Sequence, residues 1–572
     1  MSQWLKRYKW QCIVIISIIL IQVFFAVQKE GYHMDEMISF EMANAEYNPW
    51  IVPRQPVGRL AKFMQEEIEA DTIAEKCGNI KAAITDVLQN RSGSKLLTYK
   101  ADVYEEPVWI TNEQFRDYLV TDKKDRFNYL SVYFNVKDDN HPPVHFMLLH
   151  TISSLFIGEI HPFMGCFINI IMSVGTAVIM MQCGFLLDRY YITSEGQGEK
   201  MGIFAAVIYG SSHGAIATML LIRMYGVLTF LSIFLFYIHM KKWLGHGFVK
   251  GNASLILVTV LGFWTQYFFL FYCISLFGIM CICLFREKRT QELIVYVRSM
   301  IIAAIVGVIG FPFAISDVFS SSRGVEALGN LQGGLSEYIE RINRFGEILL
   351  KRCFGGRVEG IVLLGISLVV MIRLYVKCRE HRMIWLMFMI PPCLYFFLAA
   401  KMSPMFVDRY LMAIFPFVVS LLVSLFFIKT KYSGRMMDRI NVMILSLFCV
   451  MQVLTYDGSY LYRGYAKQLE EARRHQDLSC ICLYEGSGYY DNLMEFTQYE
   501  KTLLVTPQEL LERKDTTSVE KLEEVVFLVK HSVSEELLSR VLEKYELQVA
   551  EILINEGAHK DRVYLCIGPE ER

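Results

Sequence analysis

Apolar positions in this chain do not recur at the two- or three-to-four-residue periods of a half-buried strand or helix. They come in long unbroken runs, and most charges collect between them. A spanning helix needs roughly 20 mostly apolar residues. Residues 10–28 supply the first, preceded by Lys6, Arg7 and Lys9. No small-residue cleavage site follows, so this segment reads as a retained anchor. A hydrophilic stretch, 29–163, comes next. Further runs cover about 164–187, 201–221, 224–240, 253–285, 299–317, 359–376, 383–400, 409–428 and 440–456. The run at 253–285 is too long for one crossing at ~1.5 Å per residue. Split near Thr265-Gln266-Tyr267, it brings the expected number of transmembrane helices to about 11. From residue 457 the pattern changes. LSCICLY, KTLLVT, EEVVFLVK, ELQVAEILI and DRVYLCIG read as short buried strands, with charged helical stretches such as SVSEELLSRVLEKY between some of them.

Residues 142–158, PPVHFMLLHTISSLFIG, decide the topology. Counted as a span, this piece inverts every later loop. Counted as a helix on the membrane surface, it leaves four basic clusters on one side together with Lys6, Arg7 and Lys9. The clusters are Lys241/Lys242/Lys250, Arg286/Lys288/Arg289, Arg373/Lys377/Arg379/Arg382 and Lys429/Lys431/Arg435/Arg439. Basic residues in short loops favour the cytoplasm. The surface-helix count is therefore preferred, with the N-terminus cytoplasmic and the C-terminus outside the cytoplasm.

Composition fits a membrane protein. Of 572 residues, 53% are hydrophobic and 13% aromatic, and the net charge of -1 leaves no basic footprint for a nucleic acid. Most of the 14 cysteines lie inside apolar runs, and the spacing of the rest matches no zinc site or disulfide framework. The redox compartment stays open.

Five constellations then fall on the same, outer side. The first is His33-Met34-Asp35-Glu36, two carboxylates just past the first span; on spacing alone they read as a solvated pair, and only the rest of the chain raises the other reading. The second is Asp138-Asp139-Asn140-His141-Pro142-Pro143, where the prolines fix an extended entry. Its alternative is a helix N-terminus capped by Asp139 or Asn140. The third is Arg223, inside an apolar run near a span end. A charge at membrane depth faces a cavity or partner, unless it snorkels to the interface. The fourth is the aromatic turn Phe263-Trp264-Thr265-Gln266-Tyr267-Phe268-Phe269, which an interfacial aromatic belt also explains. The fifth runs from Lys401 to Tyr410, where Arg409 either pairs with Asp408 or binds a phosphate through its planar fork. Carboxylates and cations on one membrane face suit a lipid-linked phosphorylated substrate. Cations neutralise the phosphate leaving group, while a carboxylate takes a proton from an attacking hydroxyl.

The order Asp-Glu, His-Pro-Pro, Arg-Met-Tyr, Thr-Gln-Tyr-Phe and Ser-Pro-x-Phe-x-x-Arg-Tyr resembles the bacterial GT-C glycosyltransferases, near the protein O-mannosyltransferases and aminoarabinose transferases, over roughly residues 8–430. The resemblance implies a multi-span helical bundle with juxtamembrane helices. It also implies sugar transfer from a polyprenyl-phosphate donor to a glycan, lipid or protein acceptor of the cell envelope, with inversion at the anomeric carbon. Asp35 takes the place of the base, with Glu36 and Asp139 as further catalytic candidates. His141, Arg223, Tyr267, Lys401 and Arg409 become candidates for binding donor phosphate or lining the cavity. Some family members use a divalent metal and others none; Asp35, Asp139 and His141 are the ligands available here. Residues 51–130 depart from the commoner family pattern and read as an insertion.

The expected fold is thus an α-helical multi-pass membrane protein, GT-C-like, with a small C-terminal soluble α/β domain. Residues 1–456 form the transmembrane catalytic domain, with outer loops at 29–163 and 318–358, and 457–572 form the extracytoplasmic domain. Glu485-Gly486-Ser487-Gly488 follows a strand there but lacks the full nucleotide-binding fingerprint. No chemistry is assigned to this domain beyond positioning an acceptor or partner. The middle of 318–358 reads as an amphipathic helix, either lying on the surface or acting as a lid. A transporter or flippase of lipid-linked sugars is the alternative function. It would show matched interrupted helices and a mid-membrane site, and the sequence has no such symmetry. A non-catalytic membrane scaffold is a third reading.

Overall fold

The structure, a computed structural model, describes residues 8–49, 51, 62–70, 72–99, 109–190, 192–193, 196–377, 382–427, 435–512 and 523–568. Lys6, Arg7, Arg379, Lys429 and Lys431 of the predicted basic clusters lie outside them. The chain is mostly helical, and a helix stands on each predicted apolar run. These are Lys9–Ala26, Pro162–Arg189, Gln197–Ser211 continued by His213–Leu220, Tyr225–Leu244, Ala253–Phe263, Phe269–Arg286, Thr290–Gly310, Arg357–Lys377, Arg382–Met402, Phe415–Phe427 and Arg435–Leu454. Among the described residues six helices are long and apolar enough to cross a membrane, and up to seven if the bent pair at Ser212 is one span. That pair bends by 57°. Ser212 is extended and caps the second half, its side chain accepting from the Ala215 N–H at 3.1 Å. The 253–285 run divides at Trp264–Phe268, where the split was predicted.

The chain forms two compact units. One comprises Met1–Val27, Lys137–His145 and Cys166–Ser459; the other comprises Gln28–Val136, Phe146–Gly165 and Tyr460–Arg572. The sheet-bearing unit therefore includes most of the first outer loop, which the sequence boundaries grouped with the spans.

Its sheet has six strands: β1 Trp109–Thr111, β2 Ser479–Leu483, β3 Lys501–Val505, β4 Glu524–Val529, β5 Gln548–Ile554 and β6 Arg562–Ile567, in the order β1-β3-β2-β4-β6-β5. Strands β3, β2 and β4 are parallel, while β1, β6 and β5 join antiparallel. The five predicted strands are all present; β2, β3, β4 and β6 bury Ile481, Leu503, Phe527 and Val563, whereas β5, expected to be buried, is an exposed edge strand. Strand β1 was not foreseen. It comes from the first outer loop, with Trp109 opposite Leu503, and three residues carry no readable period.

Candidate active site

In the sheet-bearing unit, Asp35 and Glu36 open the Met34–Asn44 helix. His33 is the extended N-cap. Its Nδ1 accepts from the Asp35 N–H at 3.1 Å, and Glu36 reaches back to accept from the His33 N–H at 2.7 Å. This is a capping box, and two acids in a first turn also suit the helix dipole. Glu36 is fully buried and takes the Lys29 ammonium at 3.0 Å, itself buried. Asp35 keeps 19% of its side-chain surface exposed, with a carboxylate oxygen 3.4 Å from His33 Nδ1. The pair is thus divided. Glu36 holds the turn, and Asp35 is the carboxylate that solvent or a substrate can reach.

The helical unit gathers three other candidates. Asp139 is buried, with Oδ2 at 3.1 Å from His141 Nδ1. One guanidinium nitrogen of Arg223, a residue only 3% exposed, lies 3.2 and 3.4 Å from the two ring nitrogens of His141. Arg223 stands at the break between the His213–Leu220 and Tyr225–Leu244 helices, where Asn169 donates to the freed carbonyls of Leu221 and Met219. A buried guanidinium with an imidazole partner is not a snorkelling side chain. Burial alone would raise the Asp139 carboxyl, but His141 and then Arg223 hold it below the ordinary value. His145 lies beside Arg223 and is pushed down to about 3 by burial, then by that positive charge, so its ring is neutral. Neither Asp139 nor Asn140 adjoins the first turn of the helix that follows. The helix begins four residues later at Val144, whose N–H donates to the Trp264 carbonyl at 3.0 Å. The proline corner is thus fastened to the aromatic turn.

In that turn Tyr267 donates its hydroxyl to Asp317 at 2.5 Å. Burial and the Asp317 carboxylate push the phenol well above its usual range, and Asp139 is a further acidic neighbour. Lys401 donates to the Gly333 carbonyl at 2.7 Å and lies over the Tyr338 ring. Asp408 meets Arg352 at 2.7 Å, and Arg352 also binds Asp457. Arg409 is half-buried, its guanidinium 5.7 Å from the Tyr410 ring centre and 3.9 Å from Met405 Sδ. The Leu335–Phe354 helix of the second outer loop is held by Arg341, which is buried. Arg341 donates to the carbonyls of Ala400 and Ser403 at the end of the Arg382–Met402 helix. A cation on the last carbonyls of a helix is a favourable cap.

Lys29, His145, Asp317, Arg341 and Arg352 were not foreseen as members of these clusters. Lys29 carried a signal: a lone lysine at the end of the first apolar run that the basic clusters predict to be outside, where basic residues are disfavoured. Among the described residues no group of three or more His, Cys, Asp or Glu side chains is placed to hold a metal ion.

No protein-family model and no curated protein sequence matches the chain. Among solved structures, the chain is similar to the crystal structure of ArnT from Cupriavidus metallidurans bound to undecaprenyl phosphate. The TM-score is 0.54 at 8% identity, covering 98% of each chain. The apo structure of the same protein aligns over 74% of this chain and 87% of that one, with 8% identity and a TM-score of 0.46. The likeness to the first of these shows an ArnT-like fold: a bundle of apolar helices with a small C-terminal sheet domain.

Proposed function

We propose that this chain is a membrane glycosyltransferase that moves a sugar from a polyprenyl-phosphate carrier to an acceptor on the extracytoplasmic side, inverting the anomeric carbon. The observation that carries this reading is the buried Asp139–His141–Arg223 cluster at a break between apolar helices, in a fold shared with a protein crystallised with undecaprenyl phosphate. A guanidinium kept at membrane depth by an imidazole and a carboxylate is suited to a lipid-borne phosphate. Arg409 is the second cation for that role, whereas Lys401 is committed to the Gly333 carbonyl.

In the reaction, Asp35 takes the proton of an acceptor hydroxyl. The oxygen attacks the anomeric carbon in line, and the bond from that carbon to the phosphate oxygen breaks. The electron pair stays on the departing polyprenyl phosphate, where Arg223 offsets its charge. Glu36 is engaged by the buried Lys29 ammonium at 3.0 Å and holds the turn. Asp139 keeps His141 and Arg223 in place.

A placed base contributes ~10²–10⁴-fold. Asp35→Asn is expected to lose that much transfer while the protein accumulates normally in the membrane. Mass spectrometry of cell-surface glycans, with and without the active chain, identifies the product; normal transfer by the variant would remove the assignment.

A further inference from the structure

The sheet domain of residues 457–572 carried no chemistry in the sequence. In an open parallel sheet, ligands sit outside the carboxyl ends of the strands, where the chain connections diverge to opposite sides. Here that point lies between β2, which leads to β3 on one side, and β4, which leads to β5 and then β6 on the other. The crevice is occupied by the domain's own side chains. Lys530, the first residue after β4, is 1% exposed and donates to Asn492 at 2.7 Å and to Asp561 at 2.6 Å. The turn after β2, Gly488–Asn492, packs against the Met34–Asn44 helix, the element that carries Asp35.

Two further ties lock the start of that helix to the same domain. The buried Lys29 ammonium joins Glu36 to the Tyr460 carbonyl, at 3.0 and 2.8 Å, and lies over the Tyr462 ring. Next to it, the Glu30 N–H donates to the Leu461 carbonyl at 2.9 Å, and the Glu30 carboxylate accepts from the Gly464 N–H at 2.6 Å. Gly31 lies so close to this segment that an added Cβ would meet Tyr465 Cγ at 2.8 Å and Tyr462 Cβ at 3.0 Å.

We propose that the sheet domain is the seat of the catalytic base: Lys29 and Glu36, fastened to Tyr460–Gly464, are positioning residues that fix Asp35 for proton transfer. The proposal rests on Asp35 being that base. It makes the domain part of the chemical step rather than an appendage that recruits an acceptor.

The test compares four full-length proteins: wild type, Asp35→Asn, Gly31→Ala, and Lys29→Met/Glu36→Gln. The last removes both buried charges together, so neither is left unpaired. Gly31→Ala leaves every charge in place and displaces the seat by steric contact alone, so a folding failure of the charge variant does not shelter the idea. Three quantities are read: the rate at which sugar appears on cell-surface glycans, binding of undecaprenyl phosphate to the purified protein, and amide hydrogen exchange. Small misplacements of a catalytic group cost up to ~10²-fold, so the expected result is a loss of roughly tenfold or more in transfer in both seat variants. Undecaprenyl phosphate binding should stay within about twofold, because the base does not hold the donor. Faster exchange should be confined to residues 29–44. Transfer at the wild-type rate in Gly31→Ala overturns the proposal. So does exchange that rises throughout the chain with donor binding lost, which would make these residues general supports of the fold. Asp35→Asn separates the two levels. If it transfers normally, the base assignment fails; if it is inactive while Gly31→Ala is active, only the seat fails.

Discussion

Arg223 illustrates what a single residue can do in this fold. Its guanidinium is buried at a helix break and touches His141, which in turn touches Asp139. The carboxyl of Asp139 is held below its ordinary value, so its stabilising charge is present above that ordinary value and is lost only as the pH falls through the lowered one. Asp139 therefore keeps its charge through neutral pH, and donor binding should not vary with Asp139 ionisation between about pH 6 and 8. Removing a charged hydrogen-bonding partner costs ~1.5–3 kcal/mol, or roughly 10- to 100-fold in affinity. Arg223→Ala is accordingly expected to weaken undecaprenyl phosphate binding by that factor. Arg223→Lys should recover only part of the loss, since an ammonium lacks the planar fork. Equal binding by all three proteins, measured by titration of the purified chains, would detach Arg223 from the donor.

At the level of elements, β5 was legible as a strand although it lies exposed at the sheet edge, while continuous apolar runs made the helices and the buried strands β2, β3, β4 and β6 legible. The helix break at Trp264–Phe268 was legible for the same reason, as a polar interruption in a run too long for one helix. What was hidden is pairing across sequence distance. Nothing near Lys29 tells that the Tyr460 carbonyl accepts from its ammonium, nor near Tyr267 that Asp317 accepts its hydroxyl. Glu495 is another such case. Burial, then the neighbouring Asp561, push it up to about 8, while Asn492 and Gln468 donate to it. The native state holds this group protonated at neutral pH. Its contribution is complete below the ordinary value of 4.5 and is lost as the pH rises through about 8. The sheet-bearing unit should therefore melt at a lower temperature at pH 9 than at pH 6, both within about two units of that midpoint. Glu495→Gln keeps an acceptor for both donors without a charge to bury, and should flatten that alkaline slope. His559, lowered by burial from its ordinary 6.5, costs stability at pH 6 and so works against this difference rather than mimicking it. A variant melting curve with the same alkaline slope as wild type would assign the loss to another group.

For the whole molecule, the mechanism requires Asp35, Arg223 and the sheet domain to face the same compartment, and this depends on how residues 142–158 are counted. The helix there is Val144–Leu155, 12 residues. At ~1.5 Å per residue it reaches roughly 18 Å, short of a hydrocarbon core of ~30 Å. Lys29 does not weigh against an outer position for this region, because its charge is buried against Glu36 and is not a loop charge. The basic ends of the later helices, such as Lys241 and Lys242 closing Tyr225–Leu244, then set the cytoplasmic side, and the opposite end of that helix carries Arg223. Alkaline phosphatase, which becomes active only after export from the bacterial cytoplasm, separates the two topologies when fused at two points. With 142–158 on the surface, a fusion after Arg572 is active and one after Gly245 is silent. With 142–158 as a span, both results reverse: Lys241 and Lys242 lie outside, the sheet domain faces the cytoplasm, and Asp35 and Arg223 are left on opposite sides of the membrane, where no single reaction could use both.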